Sequence, residues 1–173
     1  MSARHLIAIT AVAASLAACE TVPSGGFGPG PGFGPRPGSS AFRTEDFAWS
    51  ARSGRASIDG RIDYRRDGQT FNCTGTVALT PDTPYTRARF QTLYGSTTRA
   101  AIPEAVVRAR TVADPNADYR SFVRQTSCEN NRFQFDNLPD GNWFVISPVS
   151  AGGDRIVLMR SVATRGGRVG VAL

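Results

Sequence analysis

The chain has 173 residues, with 20 basic against 14 acidic side chains and a formal net charge of +6. Every basic residue is an arginine, and His5 is the one histidine. Without lysine there is no Schiff base or Ser-Lys dyad. Past residue 18 there is also no imidazole for a Ser-His or Cys-His pair or for a metal. Carboxylates, Tyr, Cys and Ser are left, and the carboxylates are scattered, so neither a cofactor nor a metal is expected. A paired-carboxylate hydrolase is the enzyme class that stays open.

In chain order, Arg4 and His5 precede an apolar run from Leu6 to Ala18 that is broken by Thr10 and Ser15. The run falls short of the roughly 20 residues needed to span a bilayer, and it has the length and flanks of a removable export signal. It ends in Leu16-Ala17-Ala18-Cys19. The two alanines suit a narrow peptidase cleft, and the Cys19 thiol is the nucleophile there. This junction resembles the lipobox of bacterial lipoproteins. The resemblance implies a signal peptide over 1–18, lipid attachment at Cys19 and anchorage in a membrane. One acyl chain binds only marginally, whereas two or three are effectively permanent. In lipoproteins of this kind an Asp after the cysteine favours inner-membrane retention. Glu20 therefore points to the outer membrane, and the expected side is the periplasmic face.

Residues 19–41 read as a tether. Pro23 to Gly38 holds seven Gly and five Pro, with Gly26-Phe27-Gly28-Pro29 echoed by Gly32-Phe33-Gly34-Pro35. Such a chain gains too little from helix or sheet to order itself, and it reaches about 25 Å on average as a coil. The domain then runs over 42–173, long enough to bury a real core. After removal of Arg4 with the signal, 19 arginines face 14 acids, a net +5.

Within the domain, Ile58, Gly60, Ile62 and Tyr64 alternate with Asp59, Arg61, Asp63 and Arg65, the pattern of a half-buried strand. Asp67-Gly68 reads as a hairpin turn. Phe71, Cys73, Gly75, Val77 and Leu79 form a second alternating run ending at Pro81. A short helix follows, with Thr83 as cap, Pro84 in the first turn and Gly95 as stop. Its Tyr85, Phe90, Leu93 and Tyr94 are expected to dock on a sheet. Val106–Val112 and Tyr119–Gln125 read as strands, with a turn at Asp114-Pro115-Asn116 between them. Phe133-Gln134-Phe135 reads as the end of a strand, Leu138 as a plug in the sandwich edge, and Pro139-Asp140-Gly141 as a turn needing positive φ at Gly141. Arg155–Ala163 and Arg168–Leu173 read as a last hairpin across Gly166-Gly167. Short strands with turns at this spacing favour a β-sandwich.

Phe133 to Trp143 resembles the F-x-F-x-x-L-P-x-G-x-aromatic signature of carboxypeptidase regulatory-like domains. Ile58-x-Gly60-x-Ile62 and Val77-Ala78-Leu79 fit the opening strands of such domains. The resemblance implies an all-β fold with one short helix, a small prealbumin-like (transthyretin-like) antiparallel β-sandwich, and an accessory, non-catalytic role. It covers Ser57 to the C-terminus, with an insertion from Thr80 to about Val123. The family's Asp-x-x-Gly turn is Glu129-Asn130-Asn131-Arg132 here, and Asn131 can adopt the left-handed conformation that the turn needs.

Cys73 and Cys128 remain after lipidation and are expected to pair in an oxidising envelope. Asp114 to Asp118 resembles the start of a calcium loop, but Tyr119 stands where glycine is needed and Gln125 replaces the bidentate Glu, so a solvated turn is expected. Asn72-Cys73-Thr74 is a formal glycosylation sequon inside a strand. Arg108, Arg110, Arg120, Arg124 and Arg132 are candidate anion-binding residues, because guanidinium forks suit phosphate and carboxylate. Alternate spacing places Arg108 and Arg110 on one strand face. The expected role is a membrane-anchored, non-catalytic binding or structural module. Its partners would be an envelope protein, peptidoglycan or lipopolysaccharide, and not nucleic acid. The alternatives are an accessory subunit or chaperone of a secretion or pilus assembly, and a carboxylate-dependent hydrolase.

Overall fold

The computed structural model describes residues 41–110, 112 and 118–173. Cys19, the signal, nearly all of the tether and the Asp114-Pro115-Asn116 turn lie outside the described residues. The first strand, β1 (Ala56–Arg61), buries Ala56, Ile58 and Gly60 and turns Ser57, Asp59 and Arg61 the other way. β2 (Arg65–Arg66) and β3 (Gln69–Thr70) form the expected hairpin, with Asp67 and Gly68 at φ 51° and 78°. Two consecutive left-handed residues are what a two-residue hairpin turn of matching twist requires.

The run from Phe71 to Pro81 is two strands rather than one, β4 (Asn72–Cys73) and β5 (Thr76–Pro81), parted at Gly75 with φ 82°. The cause lies across the ladder in β9 (Gly141–Ala151). β4 pairs with Ser150 and Val149, and β5 pairs from Ile146 onward, which leaves Pro148 opposite the break. The carbonyl of Pro148 accepts from the Thr74 N–H at 3.1 Å, but proline has no N–H to return, so the ladder is interrupted where it has least to lose.

Helix α2 (Pro84–Tyr94) starts and stops as expected. The Thr83 hydroxyl accepts from the Thr86 N–H at 3.2 Å, and the Thr86 hydroxyl accepts from the Thr83 N–H at 2.9 Å, a reciprocal cap. Gly95 ends the helix at φ 70°. Two shorter helices accompany it, α1 (Thr44–Phe47) and α3 (Glu104–Ala109).

The large sheet runs β6 (Arg99–Pro103), β10 (Asp154–Thr164), β9, β5, β7 (Arg124–Ser127), with β4 also on β9. The small sheet runs β11 (Arg168–Ala172), β1, β8 (Arg132–Leu138). Between the sheets lie Ile58, Val77, Leu79, Phe133, Phe135, Leu138, Trp143, Val145, Val149 and Ile156. The other face of the large sheet is covered by helices: Phe90 and Tyr94 of α2 pack with Ala100, Phe144 and Met159, and Val107 of α3 joins them. Burial on both faces explains why Trp143-Phe144-Val145-Ile146 is a continuous apolar run rather than an alternating one.

The fold is thus the expected all-β sandwich with a short helix, and four local expectations are corrected. The strand expected over Val106–Val112 is replaced by helix as far as Ala109: α3 begins after Pro103, and Glu104 reaches Arg108 one turn on, a pairing that favours helix. The strand in this region is β6, just before it. Tyr119–Phe122 is a 3-10 turn, and extended structure starts only at Arg124. The positive φ at the β8–β9 turn falls on Asn137 (55°) and not on Gly141. Gly141 is required for space, because a Cβ there would lie 2.0 Å from the Trp49 ring. Lastly, β10 and β11 are not a hairpin. The chain crosses to the small sheet at Gly166 (φ 73°), and β11 pairs parallel to β1, with Ser57 opposite Arg168 and Gly60 opposite Val171. The crossing lets Val171 and Leu173 fill the core. All other strand pairings are antiparallel.

Cys73 and Cys128 form a disulfide with Cα atoms 6.2 Å apart, closing a loop over 55 positions. Beside it the Glu129–Arg132 turn survives without glycine, with Asn130 and Asn131 both at positive φ. The Asn131 carbonyl accepts from the Ile62 N–H at 2.8 Å, and its side-chain oxygen accepts from the Cys73 N–H at 2.9 Å. One asparagine thus ties the end of β1 to β4 in the other sheet.

Two predictions follow from this packing. Replacing both cysteines by serine should lower unfolding free energy by about 4 kcal/mol in the chain-entropy account, read from denaturant melts; an unchanged midpoint would count against the bridge. Gly141→Ala should cost about 1–3 kcal/mol through overpacking against Trp49. Gly170→Ala, where a Cβ meets nothing within 4 Å, should stay within about 0.5 kcal/mol of the parent.

Candidate functional site

The five arginines singled out by sequence are divided among several places. Arg108 lies on α3 with its Nε donating to Glu104 at 2.8 Å, and Arg110 follows the helix and donates to the Leu93 carbonyl at 2.6 Å. They sit on a helix and at its end, not on one strand face. Arg120 is exposed in the 3-10 turn. Arg124 is half-buried: its guanidinium lies 5.8 Å from the Trp143 ring centroid and donates to the carbonyls of Ser50 at 2.8 Å and Arg52 at 3.1 Å. Those bonds make it a clamp on the N-terminal segment, and burial lowers its pKa. Arg132 opens β8 on the outer face of the small sheet.

That outer face carries polar side chains in register across three strands. Register places Arg61 between Arg132 and Ala172, and Asp59 between Gln134 and Gly170. Arg168 Nε forms an ion pair with Asp59 at 3.1 Å, and Arg61 approaches Asp63 at 3.9 Å. Like charges directly opposite on neighbouring strands, as Arg61 and Arg132 are, repel one another. Gly170 and Ala172 carry almost no side chain, so the floor between the long arginines is open.

A groove of about 670 Å³ crosses this face, lined by Asp59, Ser127, Glu129, Arg132, Gln134 and Arg168 among others. Its guanidinium, amide, hydroxyl and carboxylate groups offer donors and acceptors side by side. The sequence signal for it is Asp59, an outward position of β1 that alternation alone marks as the polar half of a strand. Asp59 and Glu129 are the acids that share this groove.

A second cleft of about 480 Å³ lies at the open side of the sandwich, lined by Tyr64, Arg99, Ala101, Leu158, Arg160 and Leu173 among others. β6 borders it as an edge strand, hydrogen-bonded to β10 alone. The Thr98 carbonyl accepts from Ser161 N–H at 2.8 Å. By alternation, the backbone groups of Arg99 and Ala101 therefore point away from β10.

Two carboxylates on the helix side are hidden. Asp82 pairs with Arg87, and its side chain is 2 % exposed, with Oδ1 lacking a hydrogen-bond partner. Burial raises its pKa, which the Arg87 charge and hydrogen bond only partly offset. Glu104 accepts from both Arg108 and Arg155, and the Arg108 hydrogen bond leads in holding its carboxyl below the ordinary range. Among the described residues no three Cys, His, Asp or Glu side chains converge as a metal site would require.

The two acids should respond oppositely to pH. A raised carboxyl pKa contributes stability at low pH that is lost as pH rises through the folded value; a lowered one contributes stability at high pH that is lost as pH falls through the folded value. On acidification from neutrality toward about pH 4, in the carboxylate range, the parent should gain melting temperature relative to Asp82→Asn and lose it relative to Glu104→Gln. Thermal melts across that range that move both differences in one direction would contradict the assignment.

No family model and no curated protein sequence matches the chain. Among solved structures it is similar to a proposed carbohydrate binding protein from Pseudomonas aeruginosa, at 21 % identity and a TM-score of 0.49. The alignment covers 76 % of this chain and 96 % of that one.

Proposed function

We propose that this chain is a lipid-anchored protein of the bacterial cell envelope whose β-sandwich is a non-catalytic binding module. The observation that carries the reading is the junction Leu16-Ala17-Ala18-Cys19, followed by a Gly/Pro-rich stretch and then a domain that begins at Phe42. On this reading Cys19 bears the acyl chains, residues 19–41 give the domain its reach, Glu20 directs the protein to the outer membrane, and the domain sits on the periplasmic face. The likeness of Phe133–Trp143 to carboxypeptidase regulatory-like domains supports an accessory role. The groove over Asp59, Arg132, Gln134 and Arg168 is the contact surface we assign. Its mixed donors and acceptors suit a wall component or an envelope protein with both charged and neutral polar groups.

A second reading, an accessory subunit or chaperone that captures an extended client strand, draws on the unpaired edge of β6 beside the open cleft. Proline at 103 and arginine at 99 bracket that edge, both residue types that discourage indiscriminate pairing.

Metabolic labelling with palmitate in a bacterial host tests the anchor: label on the parent and none on Cys19→Ala is expected. A parent chain that carries no acyl mass and stays in the water-soluble fraction would overturn the reading. A photo-crosslinker placed at Gln134 should give defined adducts in intact cells if the groove is the contact surface. Adducts from Ala101 alone would move the assignment to the β6 edge.

A further inference from the structure

The ion pairs on the two sides of the sandwich are built differently. Over the small sheet the acids stay more open, Asp63 at 63 % beside Arg61 at 63 % and Asp59 at 35 % beside Arg168 at 74 %. Over the helices the carboxylate is sunk and the guanidinium stands above it: Asp82 at 2 % beneath Arg87 at 52 %, and Glu104 at 16 % beneath Arg108 at 76 %. Arg155 from β10 covers the same Glu104. A pair oriented in this way is neutral in sum but presents its positive end outward.

Composition adds to the effect. α2 carries Arg87 and Arg89 and no acid, with Arg89 half-buried 5.1 Å from the Tyr119 ring centroid, and α3 with the residue that follows it carries Arg108 and Arg110, the latter half-buried on the Leu93 carbonyl, against Glu104 alone. Asp154, bonded to Arg66 at 2.7 Å, is an exposed acid beside α3. α3 has no buried residue, and Ala105, Val106 and Ala109 are exposed along it. Val106 is the large apolar side chain that the described residues leave exposed.

We propose that the helix-bearing face, α2 with α3 and Arg155, docks on an anionic phospholipid surface, the guanidinium forks meeting phosphate while Val106 and its alanine neighbours enter the headgroup layer. Charge complementarity identifies the occupant, since arginine matches phosphate bidentately and basic faces with exposed apolar residues suit such an interface. The location of the contact rests on the anchored reading above. A tether reaching about 25 Å would keep the face close to the bilayer, so a weak contact suffices through effective concentration. The contact would also leave the small-sheet groove, on the opposite side of the sandwich, turned away from the membrane.

The test uses the mature chain with Cys19→Ser, so that no acyl chain contributes and failure of the lipid-anchor reading cannot mimic failure of this one. Co-sedimentation with phosphatidylglycerol vesicles is expected at about 0.05 M salt, with none on phosphatidylcholine vesicles and a large loss at about 0.5 M salt, where screening shortens to a few ångströms. Two variants each add two negative charges at exposed positions that take part in no ion pair. Gln91→Glu with Val106→Glu, on the helix face, should weaken vesicle binding at least about fivefold. Ser127→Glu with Gln134→Glu, both lining the small-sheet groove away from the helices, should change it less than about twofold; near-ultraviolet circular dichroism checks that both remain folded. Equal losses would reduce the effect to net charge and overturn the proposal. So would absence of binding to the anionic vesicles, or retention of poly-glutamate in its place, which would give the face to an acidic protein.

Discussion

Trp143 has no exposed surface, and four separate parts of the chain are held in place around it. Its ring meets the Trp49 ring at a centroid distance of 4.8 Å, in an edge-on arrangement, and the Arg124 guanidinium lies 5.8 Å away. The indole N–H donates to the Thr164 hydroxyl at 3.2 Å, and the same oxygen accepts from the Gly141 N–H and lies 2.8 Å from the Pro139 carbonyl. The N-terminal segment, β7, the β8–β9 turn and the end of β10 therefore share one indole. A buried indole needs a partner for its N–H, and Thr164, itself without exposed surface, supplies one while also stitching the turn. This arrangement also accounts for Gly141, because any side chain at that position would enter the space the Trp49 ring fills.

The large sheet buries both faces and the small sheet buries one, and that inequality divides the domain's chemistry. Helices over the large sheet bring sunken carboxylates and raised arginines. The bare outer face of the small sheet leaves Asp59, Arg61, Arg132, Gln134 and Arg168 in open register over glycine and alanine. The insertion between β5 and β7 is thus more than a decoration of the sandwich, because it covers an apolar sheet face and gives the opposite side of the molecule a different electrostatic character.

Much of the fold was legible wherever a residue's local chemistry has one solution. Thr83, Pro84 and Gly95 delimit α2, Asp67-Gly68 makes the hairpin, and Asn131 takes the left-handed turn. Alternation in Ser57–Arg65 marked β1, and Cys73 with Cys128 pointed to the bridge. Misreadings cluster where the deciding partner is distant in sequence. Pro148 breaks the Phe71–Pro81 run from across the ladder. Trp49 decides the need for glycine at 141. β11 pairs with β1 instead of its neighbour β10, and that crossing carries Val171 and Leu173 into a core shared with residues far earlier in the chain. The arginine set was misjudged for the same reason: sequence adjacency of Arg108 and Arg110 does not reveal that one answers Glu104 and the other a helix-end carbonyl. The groove residues were visible only as a polar periodicity, since register, which no single strand contains, brings Arg61 opposite Arg132.

The N-terminal segment from Phe42 to Arg52 joins the sandwich through side chains more than through strand pairing. Phe42 and Phe47 stack with Tyr85 and Phe122 at centroid distances of 5.0 to 6.3 Å, Trp49 rests on Trp143, and Arg124 grips two carbonyls. Only at Ala56 does the chain enter a ladder, flanked by β8 on one side and β11 on the other. A load drawn along the backbone from residue 41 would meet these elements in series. Ring contacts would peel one after another before β1 is placed in shear between two neighbours, so such a load would be taken up first by the segment and only then by the core.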